Sequence, residues 1–269
     1  LKWAETVPFT LRNPLFHWTH LELKRYFNID EILQPSTAEA IYEKANAILE
    51  HKTPAQLLEQ MNVEVICTTD DPIDSLEYHK AITKKGFFTK VLPTFRSDQL
   101  FFIESPNFTN YINKLAESAE ISINSFADFI VSVDRRIAYF DENGCRVSDF
   151  GIGVALFMVD YTDEEIAQIF DKRLKGELLS TLEINKYRSF LFLYLGRNYH
   201  AYNWVQQYHL GPIRNNNSKL VEQVGLDAGC DSISDFPMAE FMSKLFNKLE
   251  ATSQLAKTIT YNLNPSQNE

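Results

Sequence analysis

A repeated grammar constrains this chain more than any other feature. Short apolar runs end in polar tips and are separated by stretches long enough to be helices. The run at 61–67 alternates about Val63, Val65 and Cys67 and leads into Thr68-Thr69-Asp70-Asp71-Pro72. The run at 90–95 carries Val91 and Leu92 and ends in Thr94-Phe95-Arg96-Ser97-Asp98. A third, 145–150, closes on Ser148-Asp149; a fourth, 204–209, places His209 just before the turn signal Gly211-Pro212; a fifth, 258–262, runs into Leu263-Asn264-Pro265. Between them, 75–84, stretches within 97–138, 162–195 and 238–252 carry helical spacing. Strands joined by connections of this length pair in parallel, because a parallel pair needs a crossover of a dozen residues or more. The fold class is therefore α/β with a parallel sheet, and polar side chains at the ends of buried strands are where such folds build sites. An open doubly wound sheet and a (β/α)8 barrel both remain: a barrel needs eight strands and five are visible. No GxGxxG or GxxxxGK[ST] occurs, which argues against a nucleotide-binding sheet.

Residues 1–60 read as a helical region ahead of the α/β part at 61–269. Asn13-Pro14 breaks the chain, 15–26 has apolar spacing near 3.6, and 36–50 begins with the capping box Ser36-x-x-Glu39. A second box, Thr162-x-x-Glu165, opens 162–195 as one long helical stretch. A net charge of −10 and a pI near 5.2 argue against nucleic acid or an anionic membrane surface as partner. A small anion can still be held by a few convergent arginines. Cys67, Cys145 and Cys230, an odd and widely spaced set, read as buried thiols of a reduced, cytoplasmic protein. No apolar run approaches the roughly 20 residues of a membrane span. The start at Leu1, without an initiator methionine, suggests a processed or excised piece of a longer chain.

The candidate site residues each carry a bland alternative. His17 and His20 lie three apart and can share a helix face as zinc ligands, but Phe16 and Trp18 beside them favour packing. Asp70 and Asp71 sit at a strand tip, where carboxylates can orient a hydroxyl or move a proton; Asp71 can equally cap the next helix or close a turn. Arg96, on a strand tip after apolar residues, is placed to clamp a carboxylate in two-pronged fashion, the alternative being a solvated surface arginine. His209 is either an acid–base group near neutral pH or a satisfied core histidine, and spacing does not separate these. Arg214-Asn215-Asn216-Asn217 can hold a polar ligand or cap a turn and the following helix. His200 reads as packing, and His51 and His79 as helix-surface residues.

Together the motifs resemble one family. Trp3-Ala4-Glu5-Thr6-Val7-Pro8, Thr10-Leu11-Arg12-Asn13-Pro14-Leu15-Phe16-His17-Trp18-Thr19-His20-Leu21-Glu22-Leu23, Cys67-Thr68-Thr69-Asp70-Asp71-Pro72, Val91-Leu92-Pro93-Thr94-Phe95-Arg96, the stretch 196–217 with its Arg214-Asn215-Asn216-Asn217, and Leu263-Asn264-Pro265 follow in the order seen in uronate (glucuronate) isomerases. The resemblance implies a distorted (β/α)8 TIM barrel of the amidohydrolase superfamily, with an extra helical region early in the chain. It implies aldose–ketose isomerisation of D-glucuronate to D-fructuronate and D-galacturonate to D-tagaturonate in hexuronate catabolism, through an enediol. Arg96 and His209 resemble the family's active-site arginine and histidine. Substrate contacts are then expected from Arg96, His209, Asp70, Asp71 and Arg214, with a small uronic acid as partner and a homo-oligomer as the assembly. A divalent metal, zinc by preference, is expected for a complete family enzyme, with no ligand in these residues.

The family's His-x-His pair would lie before Leu1 and its Asp-x-Arg motif after Glu269, so the five strands resemble strands two to six of eight. Where the family reads Ser-Asp-His-Gly, this chain reads Ser148-Asp149-Phe150-Gly151, replacing a strand-end histidine by an apolar ring. An open barrel of this kind is expected to be unstable and inactive by itself. A degenerate member that binds a sugar acid without turning it over is the alternative; an amidohydrolase-type hydrolase is weaker, since it rests on the barrel alone.

Overall fold

The computed structural model describes residues 1–153 and 155–268 and divides into two compact units. The first comprises Leu1–Ile66 with Lys85–Lys90 and is mainly helical. Its helix Pro14–Phe27 begins where Asn13 Oδ1 accepts from Leu15 N at 3.0 Å and Pro14 supplies a ready helical φ, and it ends on Asn28 at φ 53°. The box expected at Ser36 does not form. Thr37 spends its hydroxyl on the preceding turn, donating to Ile32 O, so helix Ala38–Leu49 starts without a side-chain cap. A box that was not anticipated, Thr53 with Gln56, opens helix Pro54–Gln60. The unit runs past the expected boundary at 60 and takes in 85–90, because Lys90 N donates to Glu64 O at 2.9 Å and Thr89 Oγ1 to Val63 O at 2.7 Å.

The second unit comprises Cys67–Lys84 and Val91–Glu269. The strands in chain order are β1 (Val65–Cys67), β2 (Lys90–Leu92), β3 (Phe95–Arg96), β4 (Val147–Ile152), β5 (Val205–Leu210), β6 (Pro212–Ile213), β7 (Ser232–Ile233) and β8 (Thr258–Asn262). β1 pairs with β2; β3, β4, β5 and β8 form a parallel sheet in that order; β6 and β7 form a small antiparallel ladder. The expected strand 90–95 is split into β2 and β3, since Pro93 has no N–H to give a ladder. Beyond β1, Asp70 joins β3 through a parallel bridge to Phe95, with Arg96 N donating to Asp70 O at 2.9 Å. Five successive strand contributions thus line up in parallel, and among the described residues the sheet does not close on itself.

The third expected strand is shifted. β4 starts at Val147 and runs to Ile152, so Ser148 and Asp149 are mid-strand and buried instead of forming a tip. The long helical stretch 162–195 is two helices, Asp163–Leu174 and Thr181–Ala201, interrupted at Gly176 with φ 80°. The Thr162–Glu165 box forms as expected, and a second, Ser180 with Glu183, restarts the helix.

Helices cover one face of the sheet. In helix Phe126–Glu142, Phe129, Val133, Ile137 and Phe140 recur at helical spacing and are fully buried. Phe95 of β3 meets Phe140 edge-on at 5.1 Å between ring centres, and Phe192 of helix Thr181–Ala201 meets Phe241 of helix Met238–Glu250 at 5.0 Å. Burying each such ring contributes about 1.5–3 kcal/mol. Along β5, Gln206, Tyr208 and Leu210 are buried toward the helices while Val205, Gln207 and His209 are half-buried on the other face. No described helix is long and apolar enough to cross a membrane.

Candidate functional site

Strand register decides which side chains meet. Arg96, Asp149, Gln207 and Ile259 pair laterally across β3, β4, β5 and β8, and Gly151, His209 and Tyr261 form the next row. Paired residues in a parallel sheet point the same way, and so do residues two apart on one strand. Arg96, Asp149 and His209 therefore share the face opposite the helices.

Asp149 joins the other two. Its carboxylate is 6% exposed; Oδ2 accepts from Arg96 Nη1 at 3.2 Å and Oδ1 lies 2.7 Å from His209 Nε2. The histidine contact is close but lacks the alignment of a hydrogen bond, which leaves Oδ1 without an aligned donor. Arg96 Nε donates to Asp98 Oδ2 at 2.8 Å, and Asp98 Oδ1 accepts from Gly151 N at 3.0 Å. Burial pushes the Asp98 carboxyl above its ordinary value, against the Gly151 amide and the Arg96 charge. Burial works against the Arg96 cation, yet Asp98 and then Asp149 hold it above its ordinary value, so the guanidinium stays charged. Gly151 makes room for this arrangement: a Cβ there would stand 3.0 Å from Arg96 Nη2.

Beside this row lies a cavity of about 830 Å³, lined by Thr69, Arg96, Asp98, Phe150, Gly151, Arg188, Arg214 and Asp227 among others. Its three arginines are each matched to carboxylates: Arg96 to Asp98 and Asp149, Arg188 to Glu104, and Arg214 to Asp231 at 2.8 Å. His209 is outside the lining and reaches it through Asp149 and Arg96. The strand-end loops are fixed from below by buried arginines. Arg136 donates to Pro72 O, Ser118 O and Asp74 O, and Arg173 to Ile103 O and Ser105 O.

The structure brings Arg96, His209 and Arg214 to this region, but not the carboxylates of Asp70 and Asp71. Asp70 Oδ2 accepts from Thr68 Oγ1 at 2.6 Å and Thr94 N at 3.2 Å. Asp71 Oδ1 accepts from Ile73 N at 3.1 Å and the Tyr111 hydroxyl at 2.8 Å, closing a turn without capping a helix, and burial raises its carboxyl above the ordinary value. Thr69 is the residue of this loop that faces the cavity. His79 is not a surface residue: its side chain is 11% exposed and Nε2 hydrogen-bonds the Thr68 hydroxyl at 2.7 Å. His20 is occupied at both nitrogens, by Phe16 O and Leu33 N; His17 is exposed, and Trp18 is 54% exposed where packing was expected. His200 is exposed, with Nδ1 3.3 Å from Leu255 O, where packing was expected. Cys67 is exposed, against the expectation of a buried thiol. Arg214-Asn215-Asn216-Asn217 divides its labour: Arg214 lines the cavity while Asn217 caps helix Ser218–Val224 through Leu220 N.

In the sequence Asp98 and Asp149 appear only as strand-tip residues without an assigned role, and Gly151, Arg188 and Tyr261 carry no local pattern that singles them out. The available signal was the alternation of β4, which puts Asp149 on the same face as Gly151; the pairing partner of each residue was not available. Phe150 points the other way from Asp149. Its ring is 7% exposed and packs against Phe101 at 4.4 Å and Phe192 at 5.1 Å, and it also lines the cavity, so the departure at this position sets an apolar ring on the cavity wall while the polar row keeps its groups. Among the described residues no three His, Cys, Asp or Glu side chains are arranged to hold a metal ion, so these residues do not by themselves fit the metal that the resemblance implies.

The glucuronate isomerase family model matches residues 1–269. The chain belongs to the glucuronate isomerase family. It is 47% identical over 271 residues to a uronate isomerase of Bacteroides fragilis, covering 100% of this chain and 58% of that protein. It is 46% identical over 272 residues to one of Shouchella clausii, covering 100% and 57%. The chain thus spans under two thirds of the relatives it matches. The crystal structure of a uronate isomerase from Thermotoga maritima superposes with a TM-score of 0.89 at 30% identity, over 98% of this chain and 58% of that one. A glucuronate isomerase from Caulobacter crescentus shares the fold, with a TM-score of 0.87 at 23% identity over 98% and 55%. The α/β architecture of this family member is accordingly that of an incomplete TIM barrel, in which the described residues supply a parallel sheet that does not close.

Proposed function

We propose that these residues form the substrate-holding and proton-moving part of a uronate isomerase, acting on D-glucuronate and D-galacturonate in cytoplasmic hexuronate catabolism. The observation that carries this reading is Asp149, buried and within reach of both Arg96 and His209 across three parallel strands.

Aldose–ketose isomerisation moves a hydrogen from C2 to C1 of the open-chain sugar. A base takes the C2 proton while the C1 carbonyl oxygen is protonated, giving an enediol. The O2 hydrogen then leaves as C1 gains a proton, and C2 becomes the carbonyl. A charged guanidinium suits the step that places negative charge on oxygen, and Arg96 retains its charge between two carboxylates. Asp149 Oδ1 and His209 Nε2, 2.7 Å apart though not aligned as a hydrogen bond, are neighbouring groups that can accept and return one proton. Arg214 and Arg188, on the cavity wall, suit the sugar carboxylate. The implied metal supplies no step in this account, since the described residues offer it no ligand set.

The binding-module alternative, which rests on Phe150 and on the metal motifs that these residues lack, is separated from this reading by turnover. The test is NMR detection of ketose formed from D-glucuronate by the full open reading frame that carries these residues. Turnover that falls at least 100-fold in Arg96→Ala, with the fold retained, supports the reading; binding without ketose in the unsubstituted protein rejects it. The 269 residues alone are expected to show no turnover.

A further inference from the structure

The polar face holds one contact that the proposed reaction has not used. Tyr261 of β8 pairs in register with His209, and its ring lies flat on the imidazole, 4.8 Å between centroids with planes 12° apart. The phenol is itself tied down, because Gln207 Nε2 donates to Tyr261 Oη at 3.2 Å. Gln207 stands two residues before His209 on β5 and faces the same way. The three side chains therefore make a closed loop: β5 holds the hydroxyl of the ring that covers its own histidine. Asp149 bounds the same imidazole at Nε2.

The His209 side chain is 44% exposed, so without such a cover the imidazole would sample several orientations. An acid–base group must hold its reacting atom within a few tenths of an ångström of its target, and catalysis falls steeply when the supporting residues are loose. Stacking fixes the plane of the ring, while Asp149 Oδ1, 2.7 Å from Nε2 but out of hydrogen-bond alignment, only limits its rotation within that plane. Neither constraint alone specifies the orientation.

We propose that Tyr261, held by Gln207, is a positioning residue for His209. It sets the plane of the imidazole and does not itself exchange a proton with substrate. The catalytic arm of the test rests on the isomerase reading given above, whereas the stack is read spectroscopically and stands apart from it.

The experiment uses the full reading frame with selectively labelled histidine. In the unsubstituted protein the His209 ring protons, assigned with His209→Asn, are displaced upfield by the ring current of Tyr261. Tyr261→Phe keeps that displacement and lowers kcat 2- to 5-fold; Tyr261→Leu abolishes it and lowers kcat 10- to 100-fold, with KM changed less than 2-fold in both. Gln207→Ala behaves like Tyr261→Phe, and combining the two is no worse than either alone. Ring protons at ordinary shifts in the unsubstituted protein would overturn the proposal, as would a Tyr261→Leu enzyme with unchanged kcat or with its loss confined to KM. A Tyr261→Leu protein that fails to fold leaves the Phe and Gln207 arms to decide. Absence of isomerase activity throughout, with the ring-current shift present, rejects the functional reading and not the stack.

Discussion

Replacing Gly151 by alanine separates the site from the scaffold that carries it. The new Cβ would lie 3.0 Å from Arg96 Nη2 and 3.6 Å from Asp98 Oδ2. Ordinary contact begins near 3.4 Å, so the guanidinium must retreat by a few tenths of an ångström. It has unequal slack. The Nε bond to Asp98 is 2.8 Å, but the Nη1 bond to Asp149 is already 3.2 Å, at the long end of the N–H···O range. The Asp149 link is therefore the one that gives. A hydrogen bond between charged groups contributes about 1.5–3 kcal/mol. One third of the Arg96 side chain is exposed, and solvent screening reduces this to about 1 kcal/mol. If that link is needed in the transition state, kcat/KM falls about 5-fold. Stability changes little, because the atom that moves is the far end of a flexible side chain. The assay is steady-state uronate isomerisation beside urea unfolding for the same variant. Unchanged kcat/KM would refute the argument that Gly151 leaves room for the Arg96–Asp149 contact. A loss of 3 kcal/mol or more in stability would show the site to be packed differently.

Three further outcomes follow from the same geometry. Gly196→Ala puts a methyl 2.8 Å from the Leu249 Cδ1 atom, so overpacking of about 1–3 kcal/mol opposes a helix-propensity gain of about 1 kcal/mol; urea unfolding should show net destabilisation of up to about 2 kcal/mol, relieved when Leu249 is also shortened to valine. Glu183 is held down to about 2 from 4.5, first by the Ser180 backbone N–H and then by Lys172. A lowered carboxyl stabilises the fold above its unfolded value and loses that contribution as pH falls through 4.5 toward 2, so the stability gap between Glu183→Gln and the unsubstituted protein should shrink between pH 5 and pH 3. Burial pushes the Cys145 thiol up to about 12, whereas Cys67 is exposed; native alkylation at pH 8 followed by peptide mass spectrometry should modify Cys67 and spare Cys145.

What the sequence made legible depended on how local the cause was. Helix Pro14–Phe27 and the Thr162–Glu165 box were readable because cap, proline and periodicity lie within a few residues of one another. Thr258–Asn262 was readable because a β-branched run meets a proline turn. Helix Thr181–Ala201 was merged with its predecessor because its hydrophobic face is nearly uniform, leaving Gly176 and Ser180 as the only punctuation. In the site, Arg96 and His209 stood out as polar residues at strand ends. Asp149 was legible only as part of a strand tip, because its role depends on the pairing of β4 with β5, which sets it beside Gln207 and is encoded by no local pattern. Asp70 and Asp71 drew attention for the opposite reason: adjacent carboxylates look reactive, and only the structure shows them engaged by Thr68, Thr94, Ile73 and Tyr111.

The central claim is that the Asp149–His209 pair moves the C2 proton of a uronate while Arg96 faces the oxygen that receives charge. It is tested most directly by the exchange of that proton, followed by NMR with D-glucuronate in D₂O and the full reading frame. Wash-in of deuterium at the transferred position is expected in the unsubstituted enzyme. In His209→Asn, with the fold intact, the rate should fall by a factor of about 10²–10⁴, the range of acid–base contributions. Exchange in His209→Asn at the unsubstituted rate would contradict the account.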